Sequence, residues 1–105
     1  MSVQLHFSDG VLTAQLSGEI DHHTAREIRE AIDDASQQLK PYRLRMDFSA
    51  VPFMDSSGVG LILGRARLYK FWQGRVVLCG LSQSLTKMIE LSVVGAFASV
   101  ERRAG

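Results

Sequence analysis

LRMDFSAVPFMDSSGVGLILGR, residues 44 to 65, changes its hydrophobic period partway along. Leu44-Arg45-Met46-Asp47-Phe48 alternates apolar and polar residues, the period of a half-buried strand. Ser49 to Pro52 reads as a connection. From Ser56 or Ser57 to about Trp72 the apolar residues fall at helical spacing, with Val59, Ile62, Leu63, Ala66 and Tyr69 or Lys70 on one broad face. Gln73-Gly74 then stops the helix. The stretch therefore predicts a strand that leads through a short connection into a helix.

The same alternation of types extends in both directions. Upstream, Val3 to Phe7 and Val11 to Leu16 read as two strands around Ser8-Asp9-Gly10, a β-hairpin signal. Ser17-Gly18-Glu19 ends the second strand. Thr24 stands as an N-cap with Glu27 three residues on, as in a capping box. Ile28, Ala31, Ile32, Ala35 and Leu39 follow at helical spacing, and Pro41 lies past the end. Downstream, Arg75 to Cys79 is nearly all apolar, as in a strand covered on both faces. Ser82 can cap a third helix running to about Leu91, with Leu85, Met88 and Ile89 inward. Phe97 to Val100 is a weak last strand. The order is β-β-α-β-α-β-α-β. Strands joined through helices run parallel, and the opening hairpin adds one antiparallel pair. The expected fold class is α/β: a mixed, mostly parallel sheet with helices packed on it, as one domain over residues 1–105.

Totals narrow the function. The 105 residues suit one ordinary domain. Lys and Arg number 12 against 11 Asp and Glu, so no basic surface for nucleic acid and no polybasic membrane anchor is indicated. The arginine pair Arg102-Arg103 reads as a solvated end. No apolar run approaches the roughly 20 residues that span a bilayer. The N-terminus, MSVQLHFSDG, lacks the pattern of a signal peptide, and a cytoplasmic protein is expected. The single cysteine, Cys79, reads as a small buried hydrophobe.

Chemistry concentrates at Asp55-Ser56-Ser57-Gly58. One of the two serines is expected to cap the helix, which leaves the other to explain. A phosphate there would meet free N–H groups and the positive end of the helix dipole. It would add about −1.5 to −2 charges beside Asp55 and reverse the character of the local surface. Hydrolase chemistry fits poorly, because Ser56 lacks the Gly-x-Ser-x-Gly elbow. His22 and His23 could supply a base, but two neighbouring histidines are weak support for a triad. Asp21-His22-His23 has no further Cys or His cluster for a metal, and no Gly-rich loop with a lysine is present. No enzyme activity, metal or cofactor is expected. Gly60 and Gly64 share one helical face, which predicts close packing of that face against a strand or helix. Gly58 at the first turn is open to two readings, close packing or access for a partner.

Gly18-Glu19-Ile20-Asp21-His22-His23-Thr24-Ala25 and Phe53 to Arg65 together resemble the anti-sigma factor antagonists of the STAS domain family, the sporulation type most closely. The resemblance covers nearly the whole chain in element order and is most specific at Asp-Ser-Ser-Gly. It implies a partner switch. The unphosphorylated antagonist binds an anti-sigma factor that is also an ATP-dependent serine kinase, and a sigma factor is released for transcription. The kinase phosphorylates Ser56, and a serine phosphatase reverses this. By position the resemblance implies partner contacts at Asp21, Asp55, Ser57, Gly58 and Arg65, with the loop of Asp21 and the serine motif on one surface. A non-switching STAS scaffold subunit, associated with stressosomes or transporters, is the alternative. The chain departs from the resemblance at Val93, where glycine is often found, and in the short stretch after the last expected strand. Trp72, a bulky residue near a helix end, has no role in this reading.

Overall fold

A computed structural model describes residues 2–101. The arginine pair Arg102-Arg103 lies outside the described residues. The chain forms β1 (Val3–Ser8), β2 (Val11–Ser17), α1 (His22–Leu39), β3 (Arg43–Ala50), α2 (Ser56–Phe71), β4 (Arg75–Cys79), α3 (Gln83–Glu90), a 3-10 turn (Val93–Ala96) and β5 (Ser99–Val100). The five strands make one sheet in chain order, β1-β2-β3-β4-β5. β1 and β2 are antiparallel, and every other pair is parallel. This is the expected α/β architecture with a mixed, mostly parallel sheet.

The hairpin forms for the expected reason. Asp9 and Gly10 have φ of 52° and 78°, the positive values that a tight primed turn demands at both central residues. Gly10 is also needed for space, since a Cβ there would lie 2.6 Å from the Tyr42 ring.

Burial alternates along the central strands. Leu12, Ala14 and Leu16 of β2 and Leu44, Met46 and Phe48 of β3 are buried, with Val76 and Leu78 of β4 beside them. They join Ile28 and Ile32 of α1, Ile62, Ala66 and Tyr69 of α2, and Leu85 and Ile89 of α3 in one core cluster. The helices thus cover one face of the sheet. On the other face Thr13, Arg45 and Val77 are only half-buried. The expectation that β4 is covered on both faces holds only at its end: on the face away from the helices Arg75 is exposed and Val77 half-buried, while Cys79 is buried. Its apolar composition reflects a central strand with one fully covered face.

Several boundaries also move. Asp21, not Thr24, caps α1; Thr24 is the third helical residue and closes the capping box from inside. Leu39 lies on the expected inward stripe but is exposed at the helix end. Lys40 closes α1 in the left-handed conformation. Ser82 caps α3 as expected, accepting from the Leu85 amide at 3.1 Å. The last strand shrinks to two residues, because Val93 to Ala96 form the 3-10 turn and Phe97 closes it. No helix among the described residues is long and apolar enough to cross a membrane.

Candidate functional site

Two short connections meet at the carboxyl ends of β2 and β3. Gly18 donates to the Ala50 carbonyl at 3.0 Å, and Ile20 donates to the Phe53 carbonyl at 3.0 Å. Asp55 donates back to the Ile20 carbonyl at 3.1 Å. Ile20 and Met54 form an isolated parallel bridge, and both side chains are fully buried. One residue beyond each of them stands the cap of a helix. The loop of Asp21 and the serine motif are thereby brought together.

Each helix is capped by an aspartate. Asp21 accepts from the Thr24 amide at 2.9 Å, and Thr24 Oγ1 accepts from the Asp21 amide at 2.8 Å. These bonds to the charged form, the Thr24 amide first, hold the exposed Asp21 carboxyl below its ordinary range. Asp55 accepts from the Ser57 amide at 2.8 Å. The expectation that a serine caps α2 is therefore corrected. Asp55 already fills the position, and a helix start has room for one such residue. Both serine hydroxyls are released from that duty. Ser56, the first residue of α2, is exposed, and Ser57 is half-buried.

The three glycines of α2 separate. Gly58 is buried, and a Cβ on it would lie 2.6 Å from Met54 Sδ and 3.0 Å from Met54 Cβ. Its lack of a side chain lets α2 start directly over the bridge. Gly60 and Gly64 have nothing within 4 Å of a Cβ position. The expected close packing at these two is overturned: they line an open groove.

That groove lies between α1 and α2 and has a volume of about 550 Å³. His22, Arg26, Arg29, Ser57 and Arg65 line it with the two glycines. Arg65 is nearly buried, and its Nε lies 2.9 Å from Asp33 Oδ1 across the two helices. The contact is an ion pair by distance, but the atoms miss hydrogen-bond geometry. Desolvation is the leading influence on both groups, lowering the Arg65 pKa and raising that of Asp33. Ser36 Oγ and Tyr69 Oη, 2.5 Å apart, form a second polar tie between the helices. Sequence reasoning does not single out Arg26 and Arg29 as neighbours of the motif. Their signal is present in the chain: two basic residues one turn apart, on the helix that the Asp21 cap begins.

His22 and His23 stack edge to face with ring centroids 6.2 Å apart. Among the described residues no group of three His, Cys, Asp or Glu side chains is placed to hold a metal ion. Cys79 is buried, and desolvation raises its thiol pKa.

The STAS domain family matches residues 2–102. An anti-sigma F factor antagonist of Paenibacillus polymyxa is 33% identical over 92 residues, covering 88% of this chain and 79% of that protein. The solved structure of the anti-sigma factor antagonist SpoIIAA in its unphosphorylated form is similar with a TM-score of 0.79 at 31% identity, covering 97% of this chain and 89% of that one. The Bacillus cell fate determinant SpoIIAA in its phosphorylated form is similar with a TM-score of 0.76 at 33% identity, covering 96% of this chain and 92% of that one.

Proposed function

The chain belongs to the STAS domain family, and we propose that it is an anti-sigma factor antagonist that works by partner switching. In the unphosphorylated state it binds an anti-sigma factor with serine kinase activity and so frees a sigma factor. Phosphorylation of Ser56 by that kinase, with ATP as donor, ends the binding, and a serine phosphatase restores it. The protein itself is a substrate and a ligand, not a catalyst, and it acts in the cytoplasm. A sporulation setting rests on the resemblance of the Asp21-His22-His23 loop.

The observation that carries this reading is the exposed Ser56 beside a cap that does not need it. Because Asp55 satisfies the Ser57 amide, the Ser56 hydroxyl can be modified while the α2 cap stays in place. A phosphoryl group would sit at the positive end of a 16-residue helix. It would lie beside Asp55 and near Asp21, so the surface would become strongly negative without the fold being disturbed. Asp21, Asp55 and Ser57 surround the acceptor as partner contacts. Gly58 allows the close approach on which this surface is built, and Arg65 contributes from the groove. The similarity to one relative solved in both phosphorylation states supports the same mechanism.

The test is intact-mass analysis after incubation with ATP and an anti-sigma kinase from the same organism. One phosphoryl group on the native chain and none on Ser56→Ala is the expected result. A native chain left unmodified by a kinase active on another substrate would favour the non-switching scaffold.

A further inference from the structure

The two edges of the sheet are built differently. β5 is two residues long, and the chain beside it is held by the Arg45–Glu101 ion pair, with N–O distances of 3.1 and 3.2 Å. Shortness and charge are the usual protections of an exposed edge. β1 has neither. It is six residues long, VQLHFS, with no Lys, Arg, Asp, Glu or Pro. Its register against β2 runs unbroken from Val3↔Leu16 to Ser8↔Val11, so no bulge turns it away. Leu5 and Phe7 are 38% and 40% exposed.

The backbone of this edge points outward at every second residue. Ser17 donates to the Ser2 carbonyl at 2.9 Å, which makes that pair a hydrogen-bonded one. Alternation then turns the N–H and C=O of Gln4, His6 and Ser8 toward β2, and those of Val3, Leu5 and Phe7 away from it. The outward residues are the apolar ones.

We propose that β1 is a self-association edge: two copies of the chain pair antiparallel through β1, about a two-fold axis at Leu5, and continue the sheet from one copy into the other. In that register Val3 faces Phe7, Leu5 faces Leu5, and Gln4 faces His6. Apolar residues meet apolar ones and polar meet polar, and no like-charged carboxylate or ammonium groups are opposed. All three outward residues of each strand are used, giving about six intermolecular hydrogen bonds. A second copy fits better than an unrelated strand because this pattern is symmetric about its own centre. The contact belongs to the small interface class, below about 1,200 Å² in total, so the dissociation constant is expected between about 10 µM and 1 mM. β2 separates this edge from β3, the strand that leads into the serine motif, so pairing leaves Ser56 exposed.

Sedimentation equilibrium of the full chain from about 10 µM to 2 mM tests the proposal. The native protein is expected to shift from monomer to dimer across that range. Leu5→Lys opposes two ammonium groups at the axis, and Leu5→Pro removes an outward donor without touching a β1–β2 bond. Both are expected to remain monomeric with an unchanged circular dichroism spectrum. In a Cys79→Ala background, Leu5→Cys is expected to form an intermolecular disulfide with oxidised glutathione, because facing residues in this register are within disulfide reach. His6→Cys, which faces Gln4, is expected to cross-link far less. Three results would each overturn the proposal: a native chain that stays monomeric across the whole range, a dimer that survives both the Leu5→Lys and Leu5→Pro substitutions, or cross-linking of the His6→Cys variant equal to that of the Leu5→Cys variant.

Discussion

Asp21 and Asp55 occupy equivalent positions: each follows one residue of the Ile20–Met54 bridge, and each caps a helix from extended backbone. The bridge therefore fixes the starts of both α1 and α2 together. Anything that shifts one helix start is felt at the other, and this is where Ser56 stands.

Loss of the α2 cap has a measurable cost. Asp55→Ala leaves the Ser57 amide without its acceptor at 2.8 Å. A stability loss of about 1 kcal/mol is expected in urea denaturation, with Asp55→Asn recovering most of it. If Asp55→Ala were as stable as the native chain, one of the serines would have taken over the cap.

Asp21 gives a pH signature. Its folded pKa lies below the ordinary 3.8, so the cap favours the folded state above that value and loses its effect as pH falls through the folded pKa. The difference in melting temperature between native and Asp21→Ala is therefore expected to be largest at neutral pH and to shrink toward about pH 2. Melting curves followed by circular dichroism across that range decide it. A gap that stays constant would show that the charged form has no special role.

The ion pair across α1 and α2 is unequal in its exposure. Arg65 has a side-chain exposure of 10% and Asp33 of 27%. Removing the acid by Asp33→Ala strands a nearly buried guanidinium and is expected to cost about 1–3 kcal/mol. Arg65→Met leaves an acid that water can reach, and a loss below about 1 kcal/mol is expected. Paired denaturation curves test the order, and the reverse order would refute it.

The α2 glycines should respond in opposite directions. Gly60→Ala and Gly64→Ala meet no atom within 4 Å and are expected to stabilise the free chain by about 0.5–1 kcal/mol each. Gly58→Ala drives a Cβ against Met54 at 2.6–3.0 Å and is expected to destabilise it. Thermal melts of the three variants give the comparison.

The hairpin, the order of elements, the Ser82 cap and the place of the serine motif are legible in the sequence because each rests on neighbours in the chain. Asp9-Gly10 demands its turn whatever surrounds it. The start of α2 at Ser56 is legible, but the capping residues of α1 and α2 are misread for a common reason. Ser, Thr and Asp all cap well, so local pattern does not choose between Asp21 and Thr24, or between Asp55 and its serines. The long-range bridge of Ile20 with Met54 makes that choice. Close packing is expected at Gly60 and Gly64, since a helical glycine usually marks a near neighbour. Only the spacing of α1 from α2 leaves a groove there. Leu39 follows the apolar stripe, yet the helix ends where it would have been covered.

Strand order that equals chain order also bears on how the molecule is made. Each strand takes its place beside the one synthesised just before it, and none has to be inserted between two already paired. A chain leaving the ribosome can close the β1–β2 hairpin first and add β3, β4 and β5 in turn, with each helix laid down as its strand arrives. Only the hairpin closes over a short distance; each parallel pair, such as Val11 with Arg43 or Arg43 with Arg75, must wait for a whole crossover helix, which slows its closure. The edge strand β1 is thus complete before Ser56 has been translated.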